Sequence, residues 1–313
     1  MISSIECDKI KAVLYGFAKE EYCRKCEELN LEELNINTSY GNIHVYKRGT
    51  GEKKIFLLHG SGLDGAMIFW WGVMKNFPEN CTVYAPDLLG YGKSDKPDIC
   101  GEDFYTAHIE ALRETIEFLS IKRFYLAGIS MGAAVALGYA LKYPEQIQGL
   151  FPIAAWGLAS SLPFHFLSYY LLQKTSLMIL LFKIIGKSKW LVRQTIQSYL
   201  IGNKNKVTDK MVDEIRRVCR EEDVLKAMRD FQRSSCDKKG AIPYYVQVLH
   251  KLKMPVIFIH GDKDPLVPVS DIYNIVNLCP KGKIYVLKGC KHWPIMEQPE
   301  KISTTIQENM KKQ

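Results

Sequence analysis

Four short stretches of this 313-residue chain carry side chains that could do chemistry together. They are HGSG (His59–Gly62), GISMG (Gly128–Gly132), GDKDPLVP (Gly261–Pro268) and GCKHWPIM (Gly289–Met296). A serine hydroxyl is a weak nucleophile until a neighbouring imidazole takes its proton. That imidazole must in turn be oriented, and its cation stabilised, by a carboxylate. Ser130 supplies the hydroxyl and His292 the imidazole, while Asp262 and Asp264 are both placed to supply the carboxylate.

Ser130 lies in a G-x-S-x-G pattern between an apolar strand (RFYLAGI) and a helix (MGAAVALGYAL). Presenting a serine on a sharp strand-to-helix turn needs tiny residues two before and two after it, so that strand and helix can approach closely. Gly128 and Gly132 meet that need, helped by Ala133. The start of the following helix favours a developing anion. A bare G-x-S-x-G is weak evidence; its place after a strand and before a helix strengthens it. Acyl transfer also needs two donors aimed at the oxyanion, and backbone amides serve without reorganising. The N–H groups of Ser61 and Met131 are the natural pair. His59 is expected to hold its loop, and the Ser61 hydroxyl either meets substrate or closes a local turn. The chain order Ser130, an Asp, then His292 suits this type of nucleophile turn. His44, His108, His165 and His250 are not at the ends of core strands, and His260 is expected to be buried at a strand terminus.

These turns need a scaffold that brings strand ends together. Short apolar strands (KKIFLLHG, CTVYAPD, RFYLAGI, IQGLFPIAA, PVIFIHGD, KIYVLKGC) alternate with amphipathic or apolar helices, after a first strand NIHVYKRG. That alternation implies an α/β fold with a mostly parallel central sheet covered by helices on both faces. Ligands bind at the carboxyl ends of such strands. The alternation breaks after Trp156, where LMILLFKII, KWLVRQTIQSYLI and DKMVDEIRRVCR read as helices. The expected organisation is an N-terminal helical extension (1–33, with a helix over Cys7–Leu29), a first core part (34–155), an inserted all-helical region (156–243) and a second core part (244–313).

Composition narrows the function. A hydrophobic fraction of 47% and a charged fraction of 24% suit a globular chain, and the net charge of +8 is a mild basic bias. Basic residues are interspersed with acids in Lys204–Lys239 and gathered in a short Lys tail, without base-stacking aromatics, so no nucleic-acid partner is expected. Weak attraction to anionic lipid stays open, through the helical insertion or the N-terminal helix. The N-terminus lacks an apolar signal region, and no run reaches the roughly 18 apolar residues of a spanning helix. Nine scattered cysteines fit a cytoplasmic protein with reduced thiols. Cys23 and Cys26 in CRKC have no second ligand pair, so a metal is not expected there.

From about Leu34 onward the chain resembles the α/β-hydrolases. HGSG, PDLLGYGKSD, GISMG, GDKDPLVP and GCKHWPIMEQP stand in that family's order, and five ordered motifs are far more specific than one. The resemblance implies that the acid is Asp264, three residues after the glycine of a G-x-x-D turn, with Asp262 bracing the turn and Asp87 structural. It also implies that the helical insertion is a cap over the site, while the N-terminal helix departs from the family's compact pattern.

Within that family, a serine at the elbow argues against dehalogenase and epoxide hydrolase chemistry, which use aspartate there. HGSG lacks the HGGPG form of proline iminopeptidases. No metal or organic cofactor is implied. The expected reaction is hydrolysis of a carboxylic ester or thioester through an acyl-enzyme, of carboxylesterase or lipase-like type. The apolar run Leu162–Ile185 either packs the cap on the core or forms an acyl pocket and lid that meets lipid surfaces. The alternatives are carbon–carbon bond hydrolysis of a diketone, for which a cap arginine such as Arg193 would meet a substrate carboxylate, and a non-turnover ligand receptor. Substrate-binding residues and oligomeric state are not legible.

Overall fold

The computed structural model describes residues 19–62, 65–101 and 103–311. Eight strands form one sheet: β1 (Glu32–Thr38), β2 (Gly41–Arg48), β3 (Lys53–Leu58), β4 (Cys81–Pro86), β5 (Phe124–Ile129), β6 (Ile147–Ile153), β7 (Val256–Gly261) and β8 (Gly282–Leu287). Their order is β1-β2-β4-β3-β5-β6-β7-β8. The β1–β2 and β2–β4 pairs are antiparallel, and every pair from β4 through β8 is parallel. The α/β architecture with a mostly parallel sheet is thus the one expected.

The inner strands are apolar on both sides, and the structure shows why. In β5, Phe124 and Leu126 join one hydrophobic cluster while Tyr125, Ala127 and Ile129 join the other. The same alternation divides Phe56 and Leu58 from Ile55 and Leu57 in β3. With a side-chain period of two, a strand covered on both faces has no position left for a polar residue. One face is covered by the helices Asp103–Phe118 and Met131–Lys142, the other by Ala66–Met74 and Pro299–Lys311.

In chain order the helices are α1 (Lys19–Glu28), α2 (Ala66–Met74), α3 (Asp103–Phe118) and α4 (Met131–Lys142). Between β6 and β7 come α5 (His165–Lys174), α6 (Leu177–Ile185), α7 (Lys189–Thr195), α8 (Asp209–Val218) and α9 (Glu222–Arg233). The chain closes with α10 (Val269–Ile275), α11 (Pro294–Glu297) and α12 (Pro299–Lys311). A π-helical turn, Ile196–Leu200, follows α7. No strand is present between β6 and β7 among the described residues, apart from an isolated bridge between Cys236 and Ala241.

One difference from the sequence reading stands out. The sheet begins at Glu32, so the boundary expected at residues 33 and 34 falls inside β1. That strand, EELNINT, is a polar edge strand in which only Ile36 is buried. Of the N-terminal helix expected over Cys7–Leu29, residues 7–18 lie outside the described residues, as does the Cys23 side chain.

Candidate active site

The parallel order places four strand ends along one edge of the sheet. The chain leaves β3 toward β4 on one side and resumes at β5 on the other, which makes the β3–β5 boundary the point where strand order reverses. HGSG ends β3 and GISMG ends β5, so the two stretches flank that crevice. GDKD follows β7 and GCKH follows β8.

Ser130 sits between β5 and α4 with φ 53° and ψ −117°, left-handed backbone that a residue with a side chain adopts at a cost of order 1–3 kcal/mol. Its neighbours enforce the turn. A Cβ on Gly128 would lie 2.3 Å from the Gly132 carbonyl oxygen, and one on Gly132 would lie 2.3 Å from the His59 carbonyl oxygen. Backbone bonds hold the strained residue in place: the Ser130 amide donates to the Ile153 carbonyl at 2.9 Å, and its own carbonyl accepts from Ala133 at 3.0 Å.

The structure brings Ser130, Asp264 and His292 into one hydrogen-bonded line. His292 Nε2 is 3.1 Å from Ser130 Oγ, and His292 Nδ1 is 2.8 Å from Asp264 Oδ2. The second carboxylate oxygen, Oδ1, accepts the amides of Leu266 at 2.8 Å and Val267 at 3.0 Å. Burial pushes the Asp264 carboxyl up, but the His292 bond and charge, with the Val267 amide, outweigh it and hold it below its ordinary range. Asp264 is therefore an ionised partner with fixed lone pairs, which selects the Nδ1–H tautomer and leaves Nε2 facing the serine.

The two aspartates of the turn have separate places. Asp262 is exposed, and its Oδ1 accepts the Gly289 amide at 2.6 Å, tying the turn after β7 to the one after β8. His260 is buried, donates from Nε2 to the Val267 carbonyl at 2.7 Å, and is held below its ordinary pKa by burial. His59 is also buried and its pKa is lowered by burial. Its Nδ1 donates to the Gly60 carbonyl at 2.8 Å and its Nε2 accepts the Leu88 amide at 2.9 Å, which pins the HGSG loop to the segment after β4. Asp87 accepts the Ala66 amide at the start of α2 at 2.7 Å and the Lys93 amide at 3.0 Å.

Four supporting residues, Tyr91, Lys291, Trp293 and Glu297, were not foreseen. Tyr91, buried in the PDLLGYGKSD loop, donates its hydroxyl to Ser61 Oγ at 2.9 Å and lies 3.7 Å from Met131 Sδ and 3.4 Å from the Ala227 carbonyl of α9. Burial pushes this phenol well up, so it stays a neutral donor. On the other side, Glu297 accepts the Lys291 amide at 2.8 Å and the Asn203 amide at 2.8 Å. Lys291 Nζ donates to the Ser198 carbonyl at 2.7 Å, and the Trp293 amide to the Leu200 carbonyl at 2.9 Å. Both residues flanking His292 are thus tied to the π-helical turn, whose widened backbone offers carbonyls outside the regular ladder. Arg193, considered as a substrate clamp, is instead engaged with the Val207 carbonyl at 2.8 Å and Asp209 Oδ1 at 2.6 Å.

The hydrogen-bonded Ser130–His292–Asp264 line lies at the carboxyl edge of a doubly covered parallel sheet. The chain belongs to the α/β hydrolase fold family, which it matches over residues 54–175 and 220–299, more than half its length. It is 24% identical over 286 residues to a 2-hydroxy-6-oxo-6-(2'-aminophenyl)hexa-2,4-dienoic acid hydrolase of Metapseudomonas resinovorans, covering 90% of this chain and 91% of that protein. Among solved structures, a bacterial membrane phospholipase A shares the fold with a TM-score of 0.75 at 20% identity, over 93% of this chain and 89% of that one. A 2-hydroxy-6-oxo-6-phenylhexa-2,4-dienoate hydrolase of Rhodococcus does so with a TM-score of 0.74 at 22% identity, over 90% and 99%. Among the described residues, no helix is long and apolar enough to cross a membrane, and no group of three metal-ligating side chains is present.

Proposed function

We propose that this chain is a serine hydrolase that cleaves a carboxylic ester, or thioester, of an apolar acyl group. The observation that carries this reading is the continuous line from Ser130 Oγ through His292 to Asp264. In the acylation step Ser130 Oγ bonds to the carbonyl carbon while its proton passes to His292 Nε2. The Ser61 and Met131 amides receive the resulting oxyanion, and the ionised Asp264 stabilises the imidazolium. Collapse breaks the bond to the leaving alcohol or thiol, which takes the proton from His292. A water molecule, deprotonated by the same nitrogen, then attacks the acyl-enzyme, and the acid leaves with Ser130 restored. The insertion over residues 156–243 acts as the cap, anchored beside the site through Tyr91–Ala227 and through Lys291 and Trp293.

A second reading is hydrolysis of a carbon–carbon bond in a diketone, favoured by the likeness to the Metapseudomonas hydrolase. It calls for a cation to meet a substrate carboxylate, and the engagement of Arg193 with Asp209 counts against the residue first considered for that role. Turnover of p-nitrophenyl esters of graded chain length, set beside a 2-hydroxy-6-oxo-dienoate, separates the two. The ester reading requires the higher kcat/KM on esters, rising from acetyl to octanoyl. A higher kcat/KM on the dienoate would replace it with the second reading.

A further inference from the structure

Helices α5 and α6 are built inside out. Neither contains a buried residue, although both are rich in Leu, Ile, Phe and Tyr. In α6, Leu177, Leu180, Leu181 and Ile184 are exposed at spacings that place them on one face. The preceding helix, which packs beside it, exposes Phe166 (83%) and Leu167, and Phe164 at its start is 86% exposed. Phe164 also has left-handed backbone with φ 48°, so an aromatic side chain is held in solvent at a conformational cost. Contiguous exposed apolar surface of this kind marks a place where something else binds.

The charge around this surface says what kind of partner. Between Glu145 and Asp209 the chain contains no Asp or Glu, while it carries Lys174, Lys183, Lys187, Lys189 and Arg193, with further lysines at 204 and 206. Lys174, the last residue of α5, and Lys187, just beyond α6, are exposed, while Lys183 on α6 pairs with Glu222 of α9 and Lys189 with Asp213 of α8. Apolar faces on helices that carry lysines and no carboxylate of their own complement an interface of acyl chains beneath anionic headgroups.

We propose that α5 and α6 dock this protein on an anionic lipid bilayer, with Phe164, Phe166, Leu180 and Leu181 entering the headgroup–acyl boundary. This binding is independent of turnover. The test is co-sedimentation of the full chain with phosphatidylcholine–phosphatidylserine vesicles and with phosphatidylcholine vesicles. Wild-type protein should pellet with the mixed vesicles, less so with neutral ones, and added salt should release it. The double variant Phe166→Ser/Leu180→Ser should lose about tenfold or more in partitioning to both. Lys174→Glu/Lys187→Glu should lose roughly fivefold per charge on the anionic vesicles alone. Thermal melts matching wild type establish that the variants are folded, and fluorophosphonate labelling at Ser130 reports the hydrolase site separately. Absence of wild-type pelleting with either vesicle overturns the proposal. So does concentration-dependent self-association that Phe166→Ser/Leu180→Ser abolishes, because the face would then be covered by a second copy.

Discussion

Helices α4 and α6 are both apolar segments with lysine as their only charge, and the fold treats them in opposite ways. In α4 every residue from Met131 to Ala140 is buried, whereas in α6 none is. Helix α4 packs on β5 and β6 and starts at the strained Ser130, so its small residues are dictated by how close the backbone must come. Helix α6 packs beside α5 and turns four large aliphatic residues outward. Hydrophobicity alone therefore does not place a segment in the core; the partner surface does. The strand-end side of the molecule is a fixed scaffold for a few polar atoms, and the α5–α6 side is a surface still to be covered.

Substitutions on the two sides should accordingly differ in kind. The largest effect belongs to the line of polar groups: Asp264→Asn should lower kcat by about 10⁴-fold with little loss of stability, because the wrong histidine tautomer then faces Ser130. Asp262→Asn should change kcat by only a few fold, since that side chain holds the Gly289 amide. Comparable kcat values for the two variants on a p-nitrophenyl ester would reverse the assignment. Gly132→Ala should come next, costing about 3 kcal/mol or more in urea denaturation, because its Cβ would meet two backbone carbonyl oxygens, of His59 and Leu58, rather than movable side chains.

A third effect lies at the sheet edge. Glu33 on β1 accepts from His44 at 2.7 Å and pairs with Lys93, while His44 also meets Asp87 at 3.2 Å. Burial pushes the Glu33 carboxyl up, but the His44 bond and the Lys93 charge and bond outweigh it and bring it from 4.5 down to about 2. A carboxyl depressed in the folded state stabilises above its ordinary pKa and loses that contribution as pH falls through the folded value. Glu33→Gln should thus cost on the order of 2–3 kcal/mol at neutral pH. Urea titrations should show the gap to wild type closing as pH falls from 4.5 toward about 2. The smallest effect is expected at Leu180→Ser on α6, within about 0.5 kcal/mol of wild type. A loss of several kcal/mol there would mean that α6 is a core element after all.

How far the sequence disclosed this arrangement follows from the same contrast. The inner strands and their terminal turns were legible because burial on both faces leaves only apolar residues, and because the sharp turn between β5 and α4 leaves no room for a Cβ at Gly128 and Gly132. Strand β1 was not legible: EELNINT owes its place to backbone pairing with β2 and to the Glu33–His44 bond, neither of which leaves a periodic apolar signal. Tyr91 was hidden for another reason. One tyrosine in a glycine-rich loop has no local mark, and its bond to Ser61 joins residues 30 positions apart. The burial state of α6 was equally hidden, since LMILLFKII reads the same whether it faces a core or solvent.

The most direct test is covalent. The protein, labelled in its native state with a fluorophosphonate and digested, should yield a single modified peptide containing GISMG, with the adduct on Ser130 and none after heat denaturation or in His292→Ala. Absence of label at Ser130 in the folded protein, or label at another serine that persists in Ser130→Ala, would contradict the proposal that the Ser130–His292–Asp264 line is an active nucleophile.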